Sequence, residues 1–175
     1  MDPSADAGLP HTRPPYYICI SRDFPEADLK NTLLHERVHI SQRIHPQVWN
    51  SIVEEAWNFK PWKGNLPADL ESRRRINPDI FWTPMAIWKQ RWVPFAIYRS
   101  SNKPKLNEID VVWWDDSARV LLRNPPPGWL EFFGNIPAGE HPYEIAAYLV
   151  AANPKQNMAY KVLQPRLNSI PLTDF

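Results

Sequence analysis

One cysteine, Cys19, stands in 175 residues, so no internal disulfide can form. Flanked by Tyr16, Tyr17, Ile18 and Ile20, it reads as a buried strand residue rather than a reactive thiol. A lone cysteine is compatible with a reducing compartment. Charge of one sign is also missing. The net charge is +1, and Arg73-Arg74-Arg75 is the one basic run, without a wider basic face. It reads as a solvated helix end, which sets nucleic acid aside as a partner. No apolar run reaches membrane-spanning length. Met1–Pro15 is polar and proline-rich and lacks the apolar core of a signal peptide. The expectation is an intracellular chain with no membrane partner. Glycine is scarce, at 5, whereas proline reaches 20 and tryptophan 9. Such a balance implies short elements joined by stiff turns, with much of the apolar area carried by indoles. The length suits a single core.

Against that background, His35-Glu36-Arg37-Val38-His39 stands in a stretch that reads as a helix. Leu33, Leu34, Val38 and Ile40 give it the apolar surroundings of a half-buried element. Asp23 as N-cap, Pro25 in the first turn and Glu26 in capping-box position predict a start near Phe24, and Pro46 an end near Ile44. Histidines at i and i+4 lie one above the other on a helix, so two imidazoles can grip one Zn²⁺. The glutamate between them is placed to polarise a water on that ion. H-E-x-x-H resembles the signature of the zincin metallopeptidases.

That resemblance implies a third protein ligand and one open position. Two residues compete for it. His35, His39 and His45 have the metzincin spacing, but Gln42 replaces the glycine that lets the chain turn back. If the helix continues through Gln42, His45 is rotated by about 240° from His39. Glu144 is favoured instead. Pro142 suits the first position of a new helix, and Ile145, Ala146, Leu149 and Val150 supply its apolar side. Glu144-x-x-Ala147 resembles the third-ligand helix of gluzincins, although Tyr148 occupies the position of their supporting aspartate. Glu140 and His141 are neighbouring alternatives.

The rest of the chain predicts an α+β fold, with an active-site helix, a third-ligand helix and a small antiparallel sheet. Strands are expected at Tyr16–Ser21, 85–91, 94–99 and Trp129–Phe133, with a hairpin of Ile109–Trp114 and Arg119–Arg123. A helix is expected over Gln47–Phe59 and a short one over Ala68–Arg75. Lys60–Pro67 reads as loop and Asn77-Pro78-Asp79 as a turn. Trp113 and Trp114 cannot face the same side of a strand, so one is exposed or covered by the tail. The chain divides into an arm (1–15), a zincin-like metal-binding domain (16–152) and a wrapping tail (153–175).

The resemblance implies a zinc hydrolase acting on a peptide or protein, with His35, His39 and Glu144 on the metal and Glu36 as general base. Tyr143, Tyr148 and His141 lie near the third ligand as possible oxyanion donors, and Gln42 can line the same face. The competing reading is an assembly or interaction protein with a zincin-like fold and little or no catalysis. Surplus aromatic surface and extended terminal arms would serve that role.

Overall fold

In a computed structural model of the chain, residues 1–2, 5–137 and 139–170 are described. The fold is α+β. After a 3-10 turn at Ala5–Gly8 come β1 (His11–Arg13), β2 (Tyr17–Cys19), α1 (Glu26–Ile44), α2 (Pro46–Trp57), β3 (Phe59–Pro61) and α3 (Ala68–Glu71). Then follow β4 (Ala86–Trp88), β5 (Trp92–Tyr98), β6 (Ile109–Asp115), β7 (Val120–Leu122), α4 (Trp129–Phe133), α5 (Pro142–Ala152) and α6 (Met158–Leu163), with a closing 3-10 stretch at Gln164–Ser169.

β3 to β7 form an antiparallel five-stranded sheet in sequence order, and β1 and β2 pair separately. The period of two along a strand decides the layers. Val93, Phe95, Ile97, Val112 and Trp114 share one face, covered by Leu66 and Leu70. Ala86, Trp88 and Trp113 join the other core, among the helices. Both tryptophans of the Trp113-Trp114 pair are therefore buried, and Trp114 is covered by the segment before and within α3 rather than by the tail. Pro94 is tolerated inside β5 because β4 meets that strand only at Trp88↔Trp92. Its missing N–H costs no ladder bond on that side.

α5 is buried at Pro142–Ala147 and at Leu149, so its apolar surface is clamped on several sides. α1 packs along it. Glu36, Val38, His39, Ser41 and Gln42 are the buried residues of α1. That stripe is largely polar, and helix propensity alone does not explain why it is turned inward.

Several expectations are corrected. α1 starts at Glu26 with Pro25 as N-cap and no side-chain cap; the Asp23 amide donates to Ser21 Oγ. Trp129–Phe133 is helical, because a helix carries Trp129 and Phe133 to one face, where both enter the core. Aromatic β-propensity yields there to packing. Gly128 and Gly134 bracket that turn at φ 80° and 74°. The 85–91 strand shortens to Ala86–Trp88 as Lys89 and Gln90 adopt positive φ in the turn. Lys60 and Pro61 lie in β3 rather than loop. The segment after α5 coils into α6, capped by the Asn157 side chain on the Tyr160 amide. The segment read as an arm contains β1, and Cys19, in β2, is half-buried.

Phe133 lies at the centre of the helical core, fully buried, with ring centroids of Trp129, Trp57, Trp88 and Phe59 at 4.5, 5.6, 5.6 and 6.0 Å. Phe133→Ala should lower unfolding free energy by about 3–5 kcal/mol in a denaturant titration. A loss under about 1 kcal/mol would mean this cluster does not carry the core.

Candidate metal centre

α1 runs unbroken through Gln42, so positions 35, 39 and 42 fall on one face. Opposite that face stands the first turn of α5, which His141 caps by accepting the Tyr143 amide on Nδ1. Glu144 projects from that turn. Its carboxylate reaches both histidines: Oε2 is 3.5 Å from His35 Nε2 and Oε1 is 3.3 Å from His39 Nε2. The two Nε2 atoms are 3.0 Å apart. Ligands on tetrahedral zinc, each about 2.0–2.1 Å from the ion, are themselves about 3.3 Å apart. The spacing of these three side chains fits one cation, and they form the one such group among the described residues.

The hydrogen-bond pattern fits the same conclusion. Gln42 Nε2 donates to the Tyr143 carbonyl, so its Oε1 faces His39 and accepts from His39 Nδ1 at 2.8 Å. A neutral His39 is thereby assigned its proton on Nδ1, which leaves the Nε2 lone pair for a cation at the cluster. Gln42 is fully buried. It orients His39 from α1 itself, one turn along the same face.

A loop after α3 completes the surroundings. Asn77 Oδ1 accepts the Asp79 amide, which fixes the side-chain amide so that Nδ2 donates to Glu144 at 2.8 Å and Glu140 at 3.2 Å. Arg75 pairs with Glu140 at 3.1 Å. Glu36, Asp79, Glu140 and Glu144 are all buried. The guanidinium groups of Arg75 and Arg43 act on Glu140 and Asp79, and the imidazoles of His35 and His39 face Glu144. Four buried carboxylates around the two histidines make a site where added positive charge is favourable.

Burial and the charges these groups place on one another set their titration. Burial, reinforced by the charges of Asp79 and Glu144, pushes Glu36 up to about 8, against the pull of His39. Burial also pushes Glu140 up. Burial disfavours the His39 imidazolium, yet Glu144, by charge and hydrogen bond, together with Asp79 and Glu36, holds it up at about 10. Glu144 is held well below the usual carboxylate range, because the His39 charge and the bonds from both histidines outweigh its burial.

The other sequence candidates lie elsewhere. His45 closes α1, its amide donating to the Ser41 carbonyl, and is outside the ligand group. Tyr143 turns its hydroxyl to Asn50 Oδ1 and the Pro46 carbonyl. His141 Nε2 is engaged by Thr83 and Pro84, and burial pushes its pKa down to about 4. Tyr148, one turn beyond Glu144, lines a cavity beside His35 and Glu36. Arg75 is not a solvated helix end: α3 stops at Glu71, and the Arg75 side chain is 12% exposed at the wall of the site.

Two cavities of about 360 and 460 Å³ open on the cluster, and His35 and Glu36 line both. No protein-family model, curated protein or solved structure matches the chain.

Gln42→Leu should weaken zinc binding about 10–100-fold, read by competition with a chromophoric chelator. Unchanged affinity would show that Gln42 does not orient His39.

Proposed function

We propose that this chain is a zinc-dependent hydrolase, a small metallopeptidase in which Glu36 activates the attacking water. His35, His39 and Glu144 hold the metal. Three protein ligands leave a fourth position of a tetrahedral ion open, as catalytic zinc requires. Bound there, zinc supplies Lewis acidity, acidifying a water and polarising the scissile carbonyl.

The observation that carries the reading is the state of Glu36. Its side chain is buried beside the cluster, lines both cavities, and its Oε2 has no hydrogen-bond partner among the described residues. A site that holds metal only for stability has no use for such a carboxylate. A general base needs one, with an oxygen free to take a proton. Glu36 takes the proton of the attacking water and then delivers it to the amine that leaves as the amide C–N bond breaks. Asn77 keeps Glu144 in place through this proton transfer, and Gln42 does the same for His39. Both cavities have apolar walls, including Ile76, Ile109 and Ala151, suited to the side chains of a peptide or protein substrate.

Glu36→Gln keeps the shape of the side chain and removes its basicity. The expected result is retained zinc and fold, with peptide hydrolysis lowered by about 10²–10⁴-fold. Equal hydrolysis by wild type and Glu36→Gln, or zinc bound without turnover of any peptide in a broad substrate library, would overturn the reading in favour of a structural or assembly role.

A further inference from the structure

We infer that Leu9–His11 forms a strap across the metal cleft, and that this segment excludes an extended peptide until the strap is withdrawn. The inference rests on the peptidase reading above.

The two cavities approach the cluster from different sides. One runs from His35 and Glu36 towards Ile76, Leu106 and Pro137. The other runs towards Asn31, Tyr148 and Ala152. Besides His35 and Glu36, one residue lines both: Pro10. Its ring therefore stands at the junction of the cavities, beside the general base and a metal ligand. A peptide bond presented to Glu36 has chain on both sides of it, and that chain must pass from one cavity into the other. Pro10 holds the crossing point.

Upstream of the strap, Met1 is fastened by its ammonium to the Ile20 carbonyl and by its carbonyl to the Arg22 amide; downstream, the strap is latched at Thr12. The Thr12 amide and hydroxyl both donate to Asp79 Oδ1 at 2.6 Å, and the same hydroxyl accepts from Arg43 Nη2 at 2.7 Å. His11 and Thr12 are buried. Asp79 belongs to the turn closed by Asn77, the residue that also holds Glu144, so latch and metal centre share one loop. Beyond the latch the hold loosens. Leu9 and Pro10 are half-buried. The Leu9 carbonyl is satisfied within the strap by His11 Nδ1, and Pro10 has no N–H to bond the cleft. The hydrogen bonds that secure the segment lie downstream of the crossing point, at Thr12 and in the β1–β2 ladder where His11 faces Cys19. Such a segment can lift without breaking the metal centre.

When the binding-competent state is a fraction of the population, apparent affinity falls by that fraction. If the strap is open about one tenth of the time, freeing it lowers KM about tenfold with kcat little changed. Two full-length variants test this. Thr12→Val removes the hydroxyl from the latch and keeps its shape; Pro10→Gly removes the ring from the junction. Each is compared with wild type for zinc content, for amide hydrogen exchange at residues 9–13, and for kcat and KM on one peptide substrate. Affinity for a dipeptide hydroxamate, measured by tryptophan fluorescence, is a second readout. The expected result is equal zinc, faster exchange at 9–13, and KM and hydroxamate dissociation constant lowered severalfold or more in both variants. Faster exchange with unchanged KM and hydroxamate affinity would overturn the strap and leave the peptidase reading intact. A wild-type chain without zinc would overturn the peptidase reading and the strap with it.

Discussion

Four carboxylates buried around two arginines set the terms on which the centre of this protein folds. Burying charge is expensive unless it is paired, and here His39 joins the two arginines in pairing it. The shifts follow from that burial and crowding: Glu36 and Glu140 are pushed towards protonation, and His39 is held towards its charged form by the carboxylates. A divalent cation between His35, His39 and Glu144 would supply positive charge where the His39 imidazolium otherwise does. The polar stripe of α1, which would be a poor core face by itself, is turned against α5 around that position. The large apolar cores lie on either side, in the aromatic cluster at Phe133 and on the sheet face carrying Val93, Phe95 and Trp114.

How much of this could be read from the sequence follows from how local each feature is. The pairing of His35 with His39 is a matter of helix period, and it was legible. So was Glu144, because Pro142 and the apolar residues after it mark a helix start. Gln42 lies three residues after His39 on the same face, which signalled its place but not its role. That role depends on the Tyr143 carbonyl, about a hundred residues away. Arg75, Asn77 and Asp79 carried no such signal. Their bonds to Glu140, Glu144 and Thr12 cross more than sixty residues each, and a turn motif says nothing of what it will face. Local chemistry misled at Trp129–Phe133, where aromatic residues suggested a strand and burial selected a helix, and at Asp23, where a capping box was legible but no cap bond forms.

The site also joins parts of the chain that sequence reading kept separate. β1 is fastened by Asp79 and Arg43, so the start of the chain, the end of α1 and the loop after α3 meet at one hydrogen-bonded knot. Access to Glu36 is therefore coupled to residues far from it in sequence. α5 contributes Glu144 to the cluster, a cavity wall at Tyr148 and, through the Tyr143 carbonyl, the anchor for Gln42.

The measurement that bears most directly on this account is zinc per chain, by elemental analysis, in wild type, Glu144→Ala and His45→Ala purified in parallel and checked for fold by circular dichroism. The account predicts about one zinc in wild type, retained by His45→Ala and lost from a folded Glu144→Ala. Absence of zinc from the reconstituted wild type, or its retention by Glu144→Ala and loss from His45→Ala, would contradict it.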